Sequence, residues 1–344
     1  MTIRLYQKED REKWNRYVQK SENSTCYHLI EWKDVIEKTF GHKSFYLIAE
    51  DHNKNITGIL PLVQQKSTLF GNFMVSLPFF NYGGVCADSN DVCKNLIDYA
   101  IDVASDNDAE HIELRHTNHA DYGLLVKTAK VSMRMELPQS EEILWNTLTS
   151  KLRSQIRRPS KEKMYARIDG INELESFYKV FSINMRDLGT PVYSKKFFKT
   201  ILELFPKQSN ICTIYTKEGV PVASGFLLRF KEQLEIPWAS SIRRYNKYSP
   251  NMLLYWEVLK YACMQGCRIF DFGRSTPGEG TYKFKKQWGA KPLQLYWYYW
   301  MRNNGDMPEL NPKNIKYQMA IRIWKKMPLG LSKIIGPTII KNLP

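Results

Sequence analysis

Cysteine is sparse in this chain. Six residues, at positions 26, 86, 93, 212, 263 and 267 of 344, show no disulfide-framework spacing. That excludes a cystine-stapled secreted module and fits a reducing compartment. Cys263 and Cys267 stand four apart, at helical spacing. No histidine or second cysteine pair joins them, so they are expected as buried small apolar residues and no metal site is expected. Long apolar runs are also missing. No stretch approaches the roughly 18 residues of a membrane-spanning helix, and the opening MTIRLYQKED holds no apolar leader. A cytoplasmic location follows as an expectation. No low-complexity tract argues for disorder. Neither a P-loop nor a Gly-x-Ser-x-Gly elbow occurs, which removes the commonest nucleotide-hydrolase and serine-hydrolase signatures.

What is present is ordinary globular material, with 43% hydrophobic and 25% charged residues, enough for a sizeable core at a length that suits two domains. The charge is uneven. Residues 1–150 carry 16 Lys+Arg against 21 Asp+Glu, a net of −5, whereas residues 151–344 carry 34 against 14, a net of +20. Such asymmetry points to an anionic partner for the second half, with a solvated basic face as the plain alternative.

The pattern of elements occurs twice. A β-rich run at 45–50, a polar turn and a return run at 57–63 predict a hairpin. A third strand is predicted at 73–78, a helix at 91–104 and a closing strand at 111–115. The second copy predicts strands at 211–216, 223–230 and 234–239, a helix over 251–265 stopped by Gly266, and a closing strand at 268–272. Intervals between element starts are 28, 18 and 20 residues in one copy and 23, 17 and 17 in the other. The fold class expected is α/β with mixed sheets, in two tandem domains at 1–145 and 146–310, followed by a basic helical segment at 311–344 broken by Pro328 and Pro337.

The richest segment for chemistry is 268–289, RIFDFGRSTPGEGTYKFKKQWG. A strand delivers Asp271, Arg274 and Ser275 to its C-terminal end, where open α/β sheets bind ligands. A glycine-containing loop follows, and then Lys283, Lys285 and Lys286 interleave with Tyr282, Phe284 and Trp288. In an extended segment Lys283 and Lys285 share one face, an arrangement suited to a phosphate or pyrophosphate. A solvated basic hairpin fits equally. Asp271 fits either a base or an ion pair with an arginine. Ser249 is expected to cap the helix that begins with Pro250 and Asn251, with Arg243, Arg244 and Lys247 nearby to receive an anion. Arg153, Arg157 and Lys161 recur at i,i+4 on a basic helix that Pro159 is expected to break or bend. His111, His116 and His119 are explained by a strand edge and a loop as well as by a metal.

The segment 251–288, with its Phe-Asp-Phe-Gly-Arg-Ser, Tyr-Lys-Phe-Lys and Trp-Gly elements, resembles the FemAB-like proteins associated with the XrtA/PEP-CTERM exopolysaccharide system. So do MRDLGTPV at 185–192, FNYGG at 80–84 and WKKMPL at 324–329. The resemblance covers nearly the whole chain. It implies two tandem GNAT-like domains of the BioF2-like acetyltransferase type. It also implies transfer of an acyl or aminoacyl group to an amine or hydroxyl of a cell-envelope or exopolysaccharide precursor. In peptidoglycan-bridge relatives a lysine matching Lys285 contacts the precursor's phosphate, and a basic signature matches 151–157. The long coiled-coil arm of those relatives and the usual GNAT glycine-rich donor loop are both absent.

Candidate catalytic residues are Asp271, Arg274 and Lys285. Candidate substrate-binding residues are Tyr82, Gly83, Gly84, Arg153, Arg157, Arg186, Trp238, Ser240, Asn251, Ser275, Tyr282, Lys283 and Trp288. No tightly bound cofactor is expected, and the donor co-substrate is acyl-CoA or aminoacyl-tRNA. Expected partners are an anionic glycan or lipid-linked sugar precursor, tRNA, and peripherally the inner membrane surface. The competing expectation is a non-catalytic GNAT-like scaffold that binds RNA or an anionic glycan.

Overall fold

A computed structural model describes residues 1–68, 70–303, 305, 307–308 and 315–343. In chain order the strands are β1 (Thr2–Leu5), β2 (Lys43–Ser44), β3 (Leu47–Glu50), β4 (Ile56–Leu60), β5 (Val63–Ser67), β6 (Gly71–Val75), β7 (Cys86–Ala87), β8 (His111–His116) and β9 (Leu125–Lys127). They continue with β10 (Val131–Glu136), β11 (Tyr165–Asp169), β12 (Ser209–Tyr215), β13 (Pro221–Phe230), β14 (Gln233–Ser241), β15 (Ile269–Ser275), β16 (Lys291–Gln294) and β17 (Tyr296–Met301). The helices are α1 (Arg11–Lys20), α2 (Glu31–Phe40), α3 (Asn90–Asp106), α4 (Glu141–Thr147), α5 (Ser150–Lys161), α6 (Leu174–Leu188), α7 (Lys195–Leu204), α8 (Pro250–Met264), α9 (Gly280–Lys286), α10 (Ile315–Lys325) and α11 (Leu329–Ile340). The start of the 311–344 segment lies outside the described residues.

Two compact units emerge. Unit 1 is Met1–Val131 with Leu293–Glu309 and Asn342–Pro344; unit 2 is Ser132–Pro292 with Leu310–Lys341. The sequence division left 293–309 with the second domain, whereas the structure groups it with unit 1. Its strand β17, YWYYWM, pairs antiparallel with β8 from Tyr296↔His116 to Met301↔His111. A pairing across some 180 residues leaves no local signature in the sequence.

In unit 1 the predicted hairpin forms as β3–β4. Asp51 Oδ1 accepts from the N–H groups of Asn53 and Asn55, both at 2.8 Å, and so closes the turn. The sheets run β1-β3-β4-β7 and β2-β5-β6-β8-β17-β9. Ser89 caps α3 by accepting from Val92 N, and the helix buries Cys93, Leu96, Ile97, Ala100 and Ala104. Those residues recur at helical spacing and pack with Leu47, Leu60 and Leu114 in one core.

Unit 2 is a single sheet ordered β11-β12-β13-β14-β15-β10-β16. Strand β13 is buried along almost its whole length, because helices cover both faces. Successive residues point to opposite sides. Thus a Cβ on Gly225 would meet Leu254 of α8, while Phe226 packs on Phe177 of α6. The second face is aromatic. Phe198 lies 4.8 Å from Phe177, 5.1 Å from Phe181, 5.7 Å from Phe226 and 5.2 Å from Trp238, ring centre to ring centre. Phe198→Ala is expected to cost about 3–5 kcal/mol of unfolding free energy, measured by urea denaturation. A loss below about 1 kcal/mol would mean that this cluster does not hold α7 to the sheet.

Candidate functional site

The site in unit 2 begins where a strand ladder ends. β14 and β15 run parallel and pair only at Gln233↔Ile269, Leu234↔Phe270 and Glu235↔Asp271. Past that rung β14 remains paired with β13 as far as Ala223↔Ser241. Its register slips between Phe226↔Trp238 and Leu228↔Glu235, so Ile236 and Pro237 form a bulge. Pro237 has no N–H to donate, and β15 bends at Gly273, whose φ of 76° favours glycine. Bulge, proline and glycine coincide with the end of the parallel pairing.

Asp271 stands at the last rung and is fully buried. Its Oδ1 accepts from Ser132 Oγ and Gly273 N, both at 2.7 Å, and its Oδ2 accepts from Arg134 Nε at 2.9 Å. The carboxylate therefore ties β10 to β15 and fixes the Gly273 bend. Of the two readings of Asp271, the geometry favours the ion pair, and the arginine is Arg134 from another strand.

The segment 280–286 is helical where an extended one was considered, so Lys283 and Lys285 face different ways. Lys283 and Lys286 are exposed, whereas Lys285 is 8% exposed. Its Nζ donates to Gly273 O at 3.0 Å and Arg274 O at 2.9 Å, carbonyls just beyond the last rung. Burial pulls the ammonium's pKa down to about 8, against the opposing pull of Asp271 and Glu235. The lysine that the resemblance places on a precursor phosphate is thus a buried group. Nearby, Ser275 Oγ and Trp288 Nε1 are buried with no hydrogen-bond partner among the described residues. Buried polar atoms are normally satisfied, so these two are groups left for a ligand or water.

A cavity of about 330 Å³ opens at the start of α8, lined by Gln155, Ser241, Asn246, Asn251, Phe284 and Gln287 among others. Ser249 does not cap α8 with its side chain. It takes φ 61° where a short 3-10 turn (Arg243–Tyr248) meets the helix, and Pro250 occupies the first turn. Arg243, Arg244 and Lys247 on that turn are exposed. The amides Gln155, Asn246 and Gln287 escaped the sequence reading because they stand singly in three distant segments. Ser132 and Arg134, some 140 residues before Asp271, escaped it for the same reason.

Other sequence candidates are spread through unit 2. Ser240 accepts from Asn184 Nδ2 at 3.1 Å. Trp238 packs edge-on to the aromatic cluster. Arg186 pairs with Asp187 at 2.7 Å, and Arg157 lies over the Trp145 ring. Helix α5 continues through Pro159 and ends two residues later, so that proline closes the helix and does not break it midway. Arg153 lies partly buried on α5, Arg274 is exposed and Tyr282 is half-buried.

Unit 1 holds a second, polar cavity of about 190 Å³, lined by Thr25, His28, Tyr82, Gly83, Gly84 and His116 among others. The glycines are dictated by packing. A Cβ on Gly84 would sit 2.5 Å from His116 Cδ2, and Gly83 has φ 122°. His28 Nδ1 accepts from Thr25 N, so its Nε2–H donates to Gly84 O at 2.9 Å. His116 Nε2 accepts from Val85 N, which puts the proton on Nδ1. Burial, reinforced by His28, drops the His116 pKa from 6.5 to about 3. The unfolded chain then takes up a proton that the fold refuses, so the contribution is complete above about pH 6.5 and is lost as pH falls toward about 3. Stability is expected to fall between about pH 7 and pH 5, and His116→Gln should flatten that slope. Equal slopes in denaturant titrations of both proteins would refute the assignment.

Among the described residues no three His, Cys, Asp or Glu side chains come together as metal ligands do, and no helix is long and apolar enough to cross a membrane. Comparison with curated protein sequences returns no match. Residues 149–286 match the acetyltransferase (GNAT) domain family. In fold the chain is similar to FemX, with a TM-score of 0.68 at 14% identity over 87% of this chain and 97% of that one. It is also similar to L-PGS from Bacillus licheniformis, with a TM-score of 0.55 at 12% identity over 86% and 97%. A tandem GNAT protein from the clavulanic acid biosynthesis pathway gives a TM-score of 0.56 at 7% identity over 89% and 99%. Residues 149–286 therefore carry a GNAT acetyltransferase domain, and the chain's fold is of mixed α/β class, similar to that of tandem GNAT proteins.

Proposed function

We propose that unit 2 transfers an acyl or aminoacyl group to an amine or hydroxyl on an anionic cell-envelope or exopolysaccharide precursor. The observation that carries this reading is the opened pair β14/β15 with buried Lys285 at its mouth. Acyl transfer needs a slot for the acyl chain, donors for the carbonyl oxygen and a route for one proton. In this reading the acyl chain lies past Glu235↔Asp271, where β14 and β15 no longer pair, and main-chain N–H groups of that stretch donate to the carbonyl oxygen. The acceptor's nitrogen or oxygen bonds to the donor's carbonyl carbon, the carbon–sulfur bond of a thioester (or carbon–oxygen bond of an ester) breaks, and the leaving group takes a proton.

Lys285 is suited to handle that proton. As a neutral amine it keeps both donations, to Gly273 O and Arg274 O, with its lone pair still free. As an ammonium it has a third N–H for developing negative charge. A pKa near 8 makes both forms available close to neutral pH. Asp271 acts through position, by holding the Gly273 bend. Ser275 and Trp288 offer their unpartnered polar atoms to substrate. The cavity at the start of α8, with Asn251 in its wall and Arg243, Arg244 and Lys247 beside it, suits the phosphates of an acyl-CoA or the end of an aminoacyl-tRNA. Arg153, Arg157, Arg186, Arg274, Tyr282 and Lys283 supply further charge and polar contacts for an anionic acceptor. Trp238 and Ser240 stand on β14 past the last rung, packed toward α6, and Tyr82, Gly83 and Gly84 wall the separate polar cavity of unit 1.

Acetyl-CoA and a long-chain acyl-CoA should raise the melting temperature of the full chain. A ligand at about 100 times its Kd adds about 2.7 kcal/mol. If neither does, the weight moves to aminoacyl-tRNA, and charged tRNA is then tested by gel shift. With the donor in hand, Lys285→Met is expected to lower kcat by about 10²–10⁴-fold while its circular dichroism stays that of the parent. The pH–rate inflection near 8 should vanish in the variant. Unchanged transfer by Lys285→Met would remove the lysine from the reaction.

A further inference from the structure

The C-terminal helices show a surface that acyl transfer does not use. Residues 315–343 contain six Lys+Arg and neither Asp nor Glu. Both α10 and α11 pack on α6 and the loop that follows it. Ile321 of α10 meets Gly189, Gly336 of α11 meets Val192, and Lys333 lies over the Tyr178 ring. The inner faces are thereby defined. Trp324 is buried on α10, and Ser332, Gly336 and Ile340 are buried on α11 at i,i+4 spacing.

Opposite those positions, at 3.6 residues per turn, lie the outer faces. On α10 and the turn that follows it, the outer face carries Met319, Arg322, Ile323 and Lys326. On α11 it carries Leu331, Ile334 and Thr338. The apolar members are exposed to 57% at Met319, 60% at Ile323, 45% at Leu331 and 72% at Ile334. Leu188, the last residue of α6, adds a further apolar side chain at 58%. A water-facing helix of ordinary composition would place polar residues there. Exposed branched aliphatics beside lysine and arginine, with no acid in the segment, describe a helix pair that lies in a lipid interface. The apolar side chains enter the acyl boundary and the cations meet anionic headgroups. A nucleic acid would satisfy the cations and leave the aliphatics in water.

We propose that the outer faces of α10 and α11 dock the protein peripherally on an anionic lipid surface. The proposal rests on this surface alone and stands apart from the chemistry of the β14/β15 cleft. The test is co-sedimentation of the full chain with phosphatidylcholine vesicles with and without phosphatidylglycerol. The chain should bind the anionic vesicles, and Ile323→Glu/Ile334→Glu should weaken partitioning by at least about tenfold. Added salt should weaken the parent's binding. The variant should keep the parent's melting temperature and acyl-CoA response, because both positions face away from the fold. Equal binding to uncharged vesicles, or no binding to either, overturns the proposal. It is also overturned if sedimentation velocity shows the parent dimeric and the variant monomeric without any vesicle binding, since the face would then belong to a second copy of the chain.

Discussion

The buried carboxylate of Asp271 is the constraint on which unit 2 depends. A charge with no solvent exposure persists only when it is paired and hydrogen-bonded. Asp271 meets that demand with a hydroxyl, a main-chain N–H and a guanidinium, drawn from β10 and from the bend in its own strand. The result is geometric. The last rung of the parallel ladder lies at Glu235↔Asp271, and Gly273, two residues on, is held at a positive φ of 76° by its hydrogen bond to Asp271. The parallel pairing ends at the residue whose charge is neutralised in this way.

Lys285 follows from the same arrangement. An interior ammonium needs acceptors, and the bend supplies the carbonyls of Gly273 and Arg274. On and just past its helix, and on α8, Tyr255, Phe284 and Trp288 pack on one another, and Lys285 itself is buried. Their low polarity explains the lowered pKa, while the carboxylates of Asp271 and Glu235 limit the drop. One side of the cleft thus combines a tunable amine with unpartnered polar atoms of Ser275 and Trp288, inside a wall of aromatic rings.

Unit 1 has the same order of elements and a different ending. There β6 and β8 pair in parallel at Met74↔Ile112 and Val75↔Glu113. The chain then returns along β8, with Ser76 N donating to Glu113 O at 2.9 Å and Gly84 N to Arg115 O at 2.8 Å. Arg115, itself paired with Glu113, holds the carbonyls of Leu77 and Phe80. Segment 76–84 thus lies against β8 beyond the parallel pair. Tyr82, Gly83 and Gly84 end that segment at the wall of the polar cavity, where His116 leaves no room for a Cβ on Gly84.

The sequence by itself determined the local elements. Period-two runs set the strands of both copies, helical spacing of apolar residues set α3 and α8, and Pro328 set the break between α10 and α11, whereas Pro337, expected to break the segment as well, lies inside α11. It also singled out the segment of Ser275, Lys285 and Trp288, because glycine, lysine and aromatics crowd there. Tertiary structure decided what local pattern does not encode. It returned β17 to unit 1, paired Asp271 with Arg134 in preference to a neighbouring arginine, and turned the lysine-rich stretch into a helix that buries one cation and exposes two. The reason is physical. Periodicity reports which face of an element is apolar, whereas the partner of a buried charge and the end of a strand ladder depend on groups more than a hundred residues away, which only folding brings within hydrogen-bond reach.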